Sequence, residues 1–267
     1  MDPRDYPPQE PFSEPAKAYH EEVLRRGSTV VGDEIHYGTD PYQSVLICRP
    51  AAPNGAVLAF FHGGGWTNGY KEWMAFMAPS FTTAGITFAS VGYRLAPDHT
   101  FPAGFQDACA GVRWLAQNAS ALDIDPKRIF VGGHSAGGHY AALMALTDLS
   151  DIVRGCLPIS GVYDFGPDSG LTMRPRFLGA ADAGKEAAAS PIRHIGAEPC
   201  PFFIAHGSED FPHLMRQAER MEQALVAKNA DVQRIVLPGC NHFSASYAGG
   251  DPQGPWVPHA IRWIENY

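Results

Sequence analysis

Residues 131–140, VGGHSAGGHY, set a serine two positions from a glycine on either side, directly after the apolar run RIFVGG (128–133). The run has the composition of a strand buried on both faces, and AGGHYAALMALTD, which follows Ser135, that of a helix. Strand, tight turn and helix in that order would hold Ser135 at the apex of a sharp bend, where only small neighbours fit. A nucleophilic serine is presented in this way. In a chain with 28 glycines, however, Gly133-His134-Ser135-Ala136-Gly137 is also what an ordinary glycine-rich turn contains. The rest of the chain decides between the two.

Outward from this stretch, strands and helices alternate. AVLAFFHGG (56–64), ITFASVGYR (86–94), GCLPISG (155–161) and CPFFIAHG (200–207) are continuous apolar runs, and DVQRIVLPG is a further strand. Between them KEWMAFMAPSFTTAG, ending at Gly85, and FPAGFQDACAGVRWLAQNAS (101–120) read as helices, the second with Phe105, Cys109, Val112 and Leu115 on one face. FPHLMRQAERMEQALVAKN (211–229) and the terminal PWVPHAIRWIENY are helical as well. At the other end an extended arm (1–14) leads into a short helix (15–27) closed by Gly27, then into strands in DEIHYG and QSVLICRP. This alternation predicts an α/β fold: a mostly parallel central sheet with helices on both faces, in a single domain over 1–267. Only residues 163–195 stand outside the pattern, and they predict a short cap rather than a bulky lid. Functional groups in such sheets gather at the C-terminal ends of the strands. Ser135 falls at such an end, and so do His62, Asp210 and His242.

Composition narrows the function classes. The chain is 45% hydrophobic and 18% charged with a net charge of -8, which suits a globular protein and disfavours nucleic acid or an anionic membrane as partner. Five scattered cysteines without a CxxC pair suggest neither a zinc site nor a disulfide framework. The start, MDPRDYPPQEPFSEP, is polar and proline-rich without the apolar core of a signal peptide, and no run of about 18 apolar residues predicts a spanning helix. A cytoplasmic location is the expectation.

A serine hydroxyl needs a base beside it, and the base needs a carboxylate to orient it. On a nucleophile elbow of this kind the chain order is serine, acid, histidine. Of the late histidines, His213 falls in the first turn of a helix and His259 in the terminal helix. His242, in VLPGCNHFSAS, is expected in a loop after a strand, where a base reaches over the sheet. The acid lies in FFIAHGSEDFP: Asp210 is preferred because it precedes the turn into the next helix, with Glu209 beside it as runner-up and Asp164 as a third choice. Donors for the developing oxyanion come from the glycines of FFHGGGW (60–66) and from the amide of Ala136, the residue after the nucleophile. His62 is expected to orient that glycine loop, and His139 to be structural. Among the aromatics around the strand ends, Trp66, Tyr163, Phe211 and Phe243 are the candidates for an acyl or aryl pocket.

Taken together these residues resemble the α/β-hydrolase superfamily over nearly the whole chain. HGGGW (62–66) is similar to the oxyanion motif of hormone-sensitive-lipase-like esterases and of kynurenine formamidases, which implies Gly64 and Gly65, with Ala136, as donors. GHSAGGH (133–139) resembles the nucleophile motif of both groups and implies Ser135. HGSEDFPHLMRQ (206–217) resembles the acid segment of the formamidases, implying the aspartate, and NHF (241–243) the histidine segment, implying His242. IHYGTDPYQSVLICRP, and ISGVYDF followed by ASPIRHI, lean the same way. The aspartate-proline-leucine acid motif of typical hormone-sensitive-lipase relatives is missing.

The resemblance implies a serine hydrolase of small esters or N-formyl aryl amides, with no metal or organic cofactor and a small-molecule ester or amide as its partner. A catalytically silent ligand-binding protein on the same scaffold is the alternative. Whether the chain forms a homodimer, and what the arm (1–14) does, the sequence leaves open.

Overall fold

The computed structural model describes residues 2–267, with Ala183 described through its backbone alone. Eight strands form one sheet: β1 (Asp33–His36), β2 (Ser44–Cys48), β3 (Val57–Phe61), β4 (Thr87–Val91), β5 (Ile129–His134), β6 (Val153–Ile159), β7 (Phe202–Glu209) and β8 (Val232–Asn241). Their order across the sheet is β1-β2-β4-β3-β5-β6-β7-β8. The pairs β1/β2 and β2/β4 are antiparallel and every later pair is parallel. All five residues of β3 and of β4 are buried, as are all six of β5. Strands covered on both faces need apolar residues at every position, which is why these runs are continuous rather than alternating.

The helices are α1 (Glu14–Gly27), α2 (Ala78–Thr83), α3 (Ala103–Gln117), α4 (Ala136–Leu146), α5 (Arg174–Leu178), α6 (Ala183–Ala189), α7 (Pro212–Val226), α8 (His242–Tyr247) and α9 (Val257–Glu265). In α3, Phe105, Cys109, Val112 and Leu115 are buried on one face, as their spacing predicts. Helix α4 is buried over ten successive residues, so its sequence shows no polar stripe. Trp263 of α9 packs its ring edge-on against Phe130 of β5 and also meets Phe203 of β7. The stretch 71–85, expected as one helix, begins as a 3-10 turn over Lys71–Met77 and only then becomes α2. Six of those seven 3-10 residues are buried, so packing sets their backbone more than helix propensity does. Among the described residues no helix is long and apolar enough to cross a membrane.

The chain runs from β3 outward to β4 and then returns across β3 to β5. Strand order therefore reverses at β3 and β5, and the crevice beyond their C-terminal ends is where such sheets place ligands. The glycine loop follows β3 and Ser135 follows β5. Their meeting is thus a consequence of topology.

Candidate active site

Ser135 sits at φ 55° and ψ -117°, a backbone state that a residue with a side chain enters only under constraint. Strand β5 and helix α4 supply that constraint. A methyl group on Gly133 would overlap the backbone of Gly137, and one on Gly137 would overlap the carbonyl oxygens of Phe61 and His62. The glycines of the motif are there because strand, turn and helix approach to near contact.

The three polar residues singled out by the sequence come together across more than 100 positions. Ser135 Oγ lies 3.0 Å from His242 Nε2, and His242 Nδ1 donates to Asp210 Oδ1 at 2.9 Å. Asp210 is held from two more sides: the Ser160 hydroxyl donates to Oδ2 at 2.5 Å and the Phe211 amide to Oδ1 at 2.7 Å. Burial by itself pushes the carboxyl up, but the hydrogen bond and charge of His242, with these two donors, outweigh it and hold Asp210 below the usual carboxylate range. A persistent anion on Nδ1 keeps the proton there and leaves Nε2 free to accept one from serine.

His242 opens helix α8 instead of sitting in a loop. Asn241 caps that helix, its side chain accepting from the amides of Phe243 and Ser244 while Ser244 Oγ accepts from the Asn241 amide. The capping box fixes the backbone that carries the imidazole. Of the rejected acids, Glu209 is exposed at the end of β7. Asp164 is buried but pairs with Arg220 at 3.2 Å and accepts from the Gly166 amide. Both are outside the hydrogen-bonded set.

In the glycine loop, Gly64 has φ 108° and Gly65 φ 61°. Among the described residues the amides of Gly64, Gly65 and Ala136 donate to no group of the chain. His62 lies beneath, donating from Nδ1 to the Gly63 carbonyl at 2.7 Å and stacked on Tyr93 at 4.2 Å, so it does orient the loop. Burial pushes its pKa down to about 4. His139 is likewise structural: Nε2 donates to the Ala189 carbonyl at 2.7 Å, and Nδ1 accepts from Trp66 Nε1 at 3.1 Å.

A cavity of about 520 Å3 opens above the serine, with Gly64, Gly65, Trp66, Phe211, His242 and Phe243 in its wall. Trp66 is itself nearly buried, stacked on Phe177 at 4.3 Å, and Phe211 lies 4.7 Å from the His242 ring. Tyr163 corrects the expectation. Its ring is fully buried and outside the cavity wall, because Gln217 on α7 accepts from the amides of Tyr163 and Asp164 and draws the chain down as it leaves β6.

Sequence reasoning missed the other half of the wall. Glu10, Pro11, Phe12 and Ser13 of the arm, with Tyr19 of α1, face Leu171, Met173 and Arg176 of the cap. The arm is anchored beside the glycine loop: Gln9 exchanges two hydrogen bonds with the Gly69 backbone, and Asn68 Nδ2 donates to the Glu10 carbonyl at 2.6 Å. Glu10 then pairs with Arg176 of α5 at 2.5 Å, joining arm and cap over the cleft. No local pattern in the polar, proline-rich arm could have revealed this. Ser160 and His134 were also missed as site residues, although both lie within the quoted stretches GCLPISG and VGGHSAGGHY.

Comparison with known proteins agrees with this architecture. The sequence profile of a family described as alpha/beta hydrolase fold matches residues 58–245. The chain is 30% identical to esterase LipC of Mycobacterium tuberculosis over 273 residues, covering 91% of this chain and 67% of LipC. Carboxylesterase NlhH of the same organism is 44% identical over 90 residues, 33% of this chain and 28% of its own. Esterase LipQ, also from that organism, is 30% identical, with 78% of this chain and 56% of LipQ covered. The chain therefore spans between about a quarter and two thirds of the length of these relatives. Among solved structures, the carboxylesterase EstE1, cloned from a metagenomic library, superposes with a TM-score of 0.77 at 20% identity over 94% of both chains. A carbohydrate esterase from gut microbiota gives 0.76 at 19% identity, covering 89% of this chain and 97% of the other. The chain belongs to the alpha/beta hydrolase fold family.

Proposed function

We propose that the protein is a serine carboxylesterase that cleaves small carboxylic esters through an acyl-enzyme. The continuous hydrogen-bonded set Ser135–His242–Asp210 at the floor of a cavity carries this reading. Ser135 Oγ attacks the ester carbonyl carbon as its proton passes to His242 Nε2. The charge that forms on the carbonyl oxygen is received by the amides of Gly64, Gly65 and Ala136; an oxyanion donor of this kind is worth about 3–4 kcal/mol. His242 then protonates the departing alkoxide, and water, activated by the same imidazole, releases the acid from the serine. Asp210 stays ionised throughout and supports the imidazolium.

Esterase names among the relatives favour an ester over a formamide, and none of the relatives described is a formamidase. The cavity, largely apolar in its wall, suits a short or medium acyl group. The test is kcat/KM on p-nitrophenyl acetate, butyrate and octanoate beside N-formyl-L-kynurenine. The reading predicts turnover of the short esters that exceeds that of the amide by at least tenfold. Preference for the amide would make the protein an arylformamidase, and turnover of neither would favour a silent binding protein.

A further inference from the structure

His134 stands directly before the nucleophile, yet its side chain turns toward the base. The imidazole donates from Nε2 to the backbone carbonyl of His242 at 2.9 Å, and the two rings lie 4.8 Å apart. Among the described residues its Nδ1 has no hydrogen-bond partner, and it is buried against the glycine loop: a methyl group on Gly63 would stand 2.9 Å from that atom. Tyr19 of α1 covers the ring at 6.0 Å, and the side chain is 2% exposed. One imidazole therefore touches the residue that carries the base, the loop that carries the oxyanion donors and, through its own backbone, Ser135.

We propose that His134 is a positioning residue of the hydrolytic reaction, a neutral hydrogen-bond donor that fixes the backbone of His242 so that its ring spans Asp210 and Ser135. The inference rests on the hydrolase reading above. Helix α8 has six residues, too few to hold its own position by cooperativity. Apart from the Asn241 capping box and the contacts of the His242 ring itself, its ties lie further along, where Ser246 Oγ meets the Tyr19 hydroxyl at 2.8 Å and Arg26 covers the Tyr247 ring. His134 donates to the backbone carbonyl of the helix's first residue, the residue that carries the base. Burial and the neighbouring His242 charge push its pKa well down, so it remains a donor with one tautomer while the base cycles between its protonation states. An alternative donor exists in principle: glutamine places its Nε2 about where histidine does, whereas phenylalanine fills the space without donating.

His134→Phe and His134→Gln, with Ser135→Ala as control, are assayed for kcat and KM on p-nitrophenyl butyrate, and their Tm is recorded. The expectation is a kcat about ten- to a hundredfold lower in His134→Phe, with KM within about threefold, and recovery to within about threefold of the parent kcat in His134→Gln. Equal kcat in the parent, His134→Phe and His134→Gln would overturn the proposal, as would a loss of kcat in His134→Gln as large as that in His134→Phe at a parent-like Tm. Should His134→Phe not fold, His134→Gln with a parent kcat and KM still supports the donor role, and a loss in it at a parent-like Tm still refutes it. Turnover persisting in Ser135→Ala would instead sink the serine reading, and this inference with it.

Discussion

The floor and the roof of the cavity are built in opposite ways. The floor is the set of strand ends after β3, β5, β7 and β8, where each polar group belongs to a short motif and strand topology brings the motifs together. The roof is made of the arm and the cap, segments without motif or periodicity, held by pairings such as Gln9 with Gly69 and Glu10 with Arg176. On the proposed esterase reading, chemistry that must be met within a few tenths of an ångström falls to rigid elements and selection among substrates to segments that can vary. The floor should therefore answer mutation in kcat, and the roof in relative kcat/KM among substrates.

The largest effect expected is on the floor. Ser135→Ala lowers kcat by at least about 10^4-fold without lowering Tm, in a p-nitrophenyl butyrate assay with thermal unfolding alongside. Asp210→Asn follows, at about 10^3- to 10^4-fold, because the amide no longer holds the imidazole in the right tautomer. A loss of KM alone in either variant would break the division between the two regions.

The floor also carries a dependence of stability on pH. His62, His134 and His139 have their pKa values pushed down by burial from the ordinary 6.5, in His62 to about 4 and in His139 to about 3. The unfolded chain takes up protons below 6.5 while the folded one stays neutral, so the folded state binds fewer and loses stability as pH falls. The stabilisation is complete above pH 6.5 and is lost progressively from there toward pH 3–4. Unfolding followed by circular dichroism should show Tm falling by about 5 °C or more between pH 7 and pH 5. A Tm flat across that window would mean that these imidazoles are not held neutral by the fold.

Effects on the roof are smaller and selective. Phe12→Ala removes a ring that lines the cavity and stacks on His20 at 5.0 Å. It is expected to raise octanoate relative to acetate in kcat/KM by about three- to tenfold, with kcat on acetate within about twofold. An equal change on both esters would show that the arm tunes the chemistry rather than the substrate. Tyr163→Phe is the smallest: among the described residues its buried hydroxyl makes no well-formed hydrogen bond and the ring is outside the wall, so kcat/KM should stay within about twofold and stability should fall little.

The same division explains what could be read in advance. The parallel sheet follows from continuous apolar runs, and Ser135, Asp210 and His242 from chain order and strand ends. Placing His242 in a loop overlooked the Asn241–Ser244 capping box, although NHFS spells it out. Tyr163 was grouped with pocket aromatics because sequence gives proximity to a strand end but not the direction in which a ring turns. The arm's place over the cleft depends on contacts 60 positions apart, as between Gln9 and Gly69, and short-range pattern does not encode them.

The most direct test of the central claim is reaction of the intact protein with a fluorophosphonate, with the adduct located by peptide mass spectrometry. The account predicts a single stoichiometric adduct on Ser135, formed much more slowly in His242→Ala. No adduct, or one on another residue, would contradict the assignment of Ser135, His242 and Asp210 as the working set.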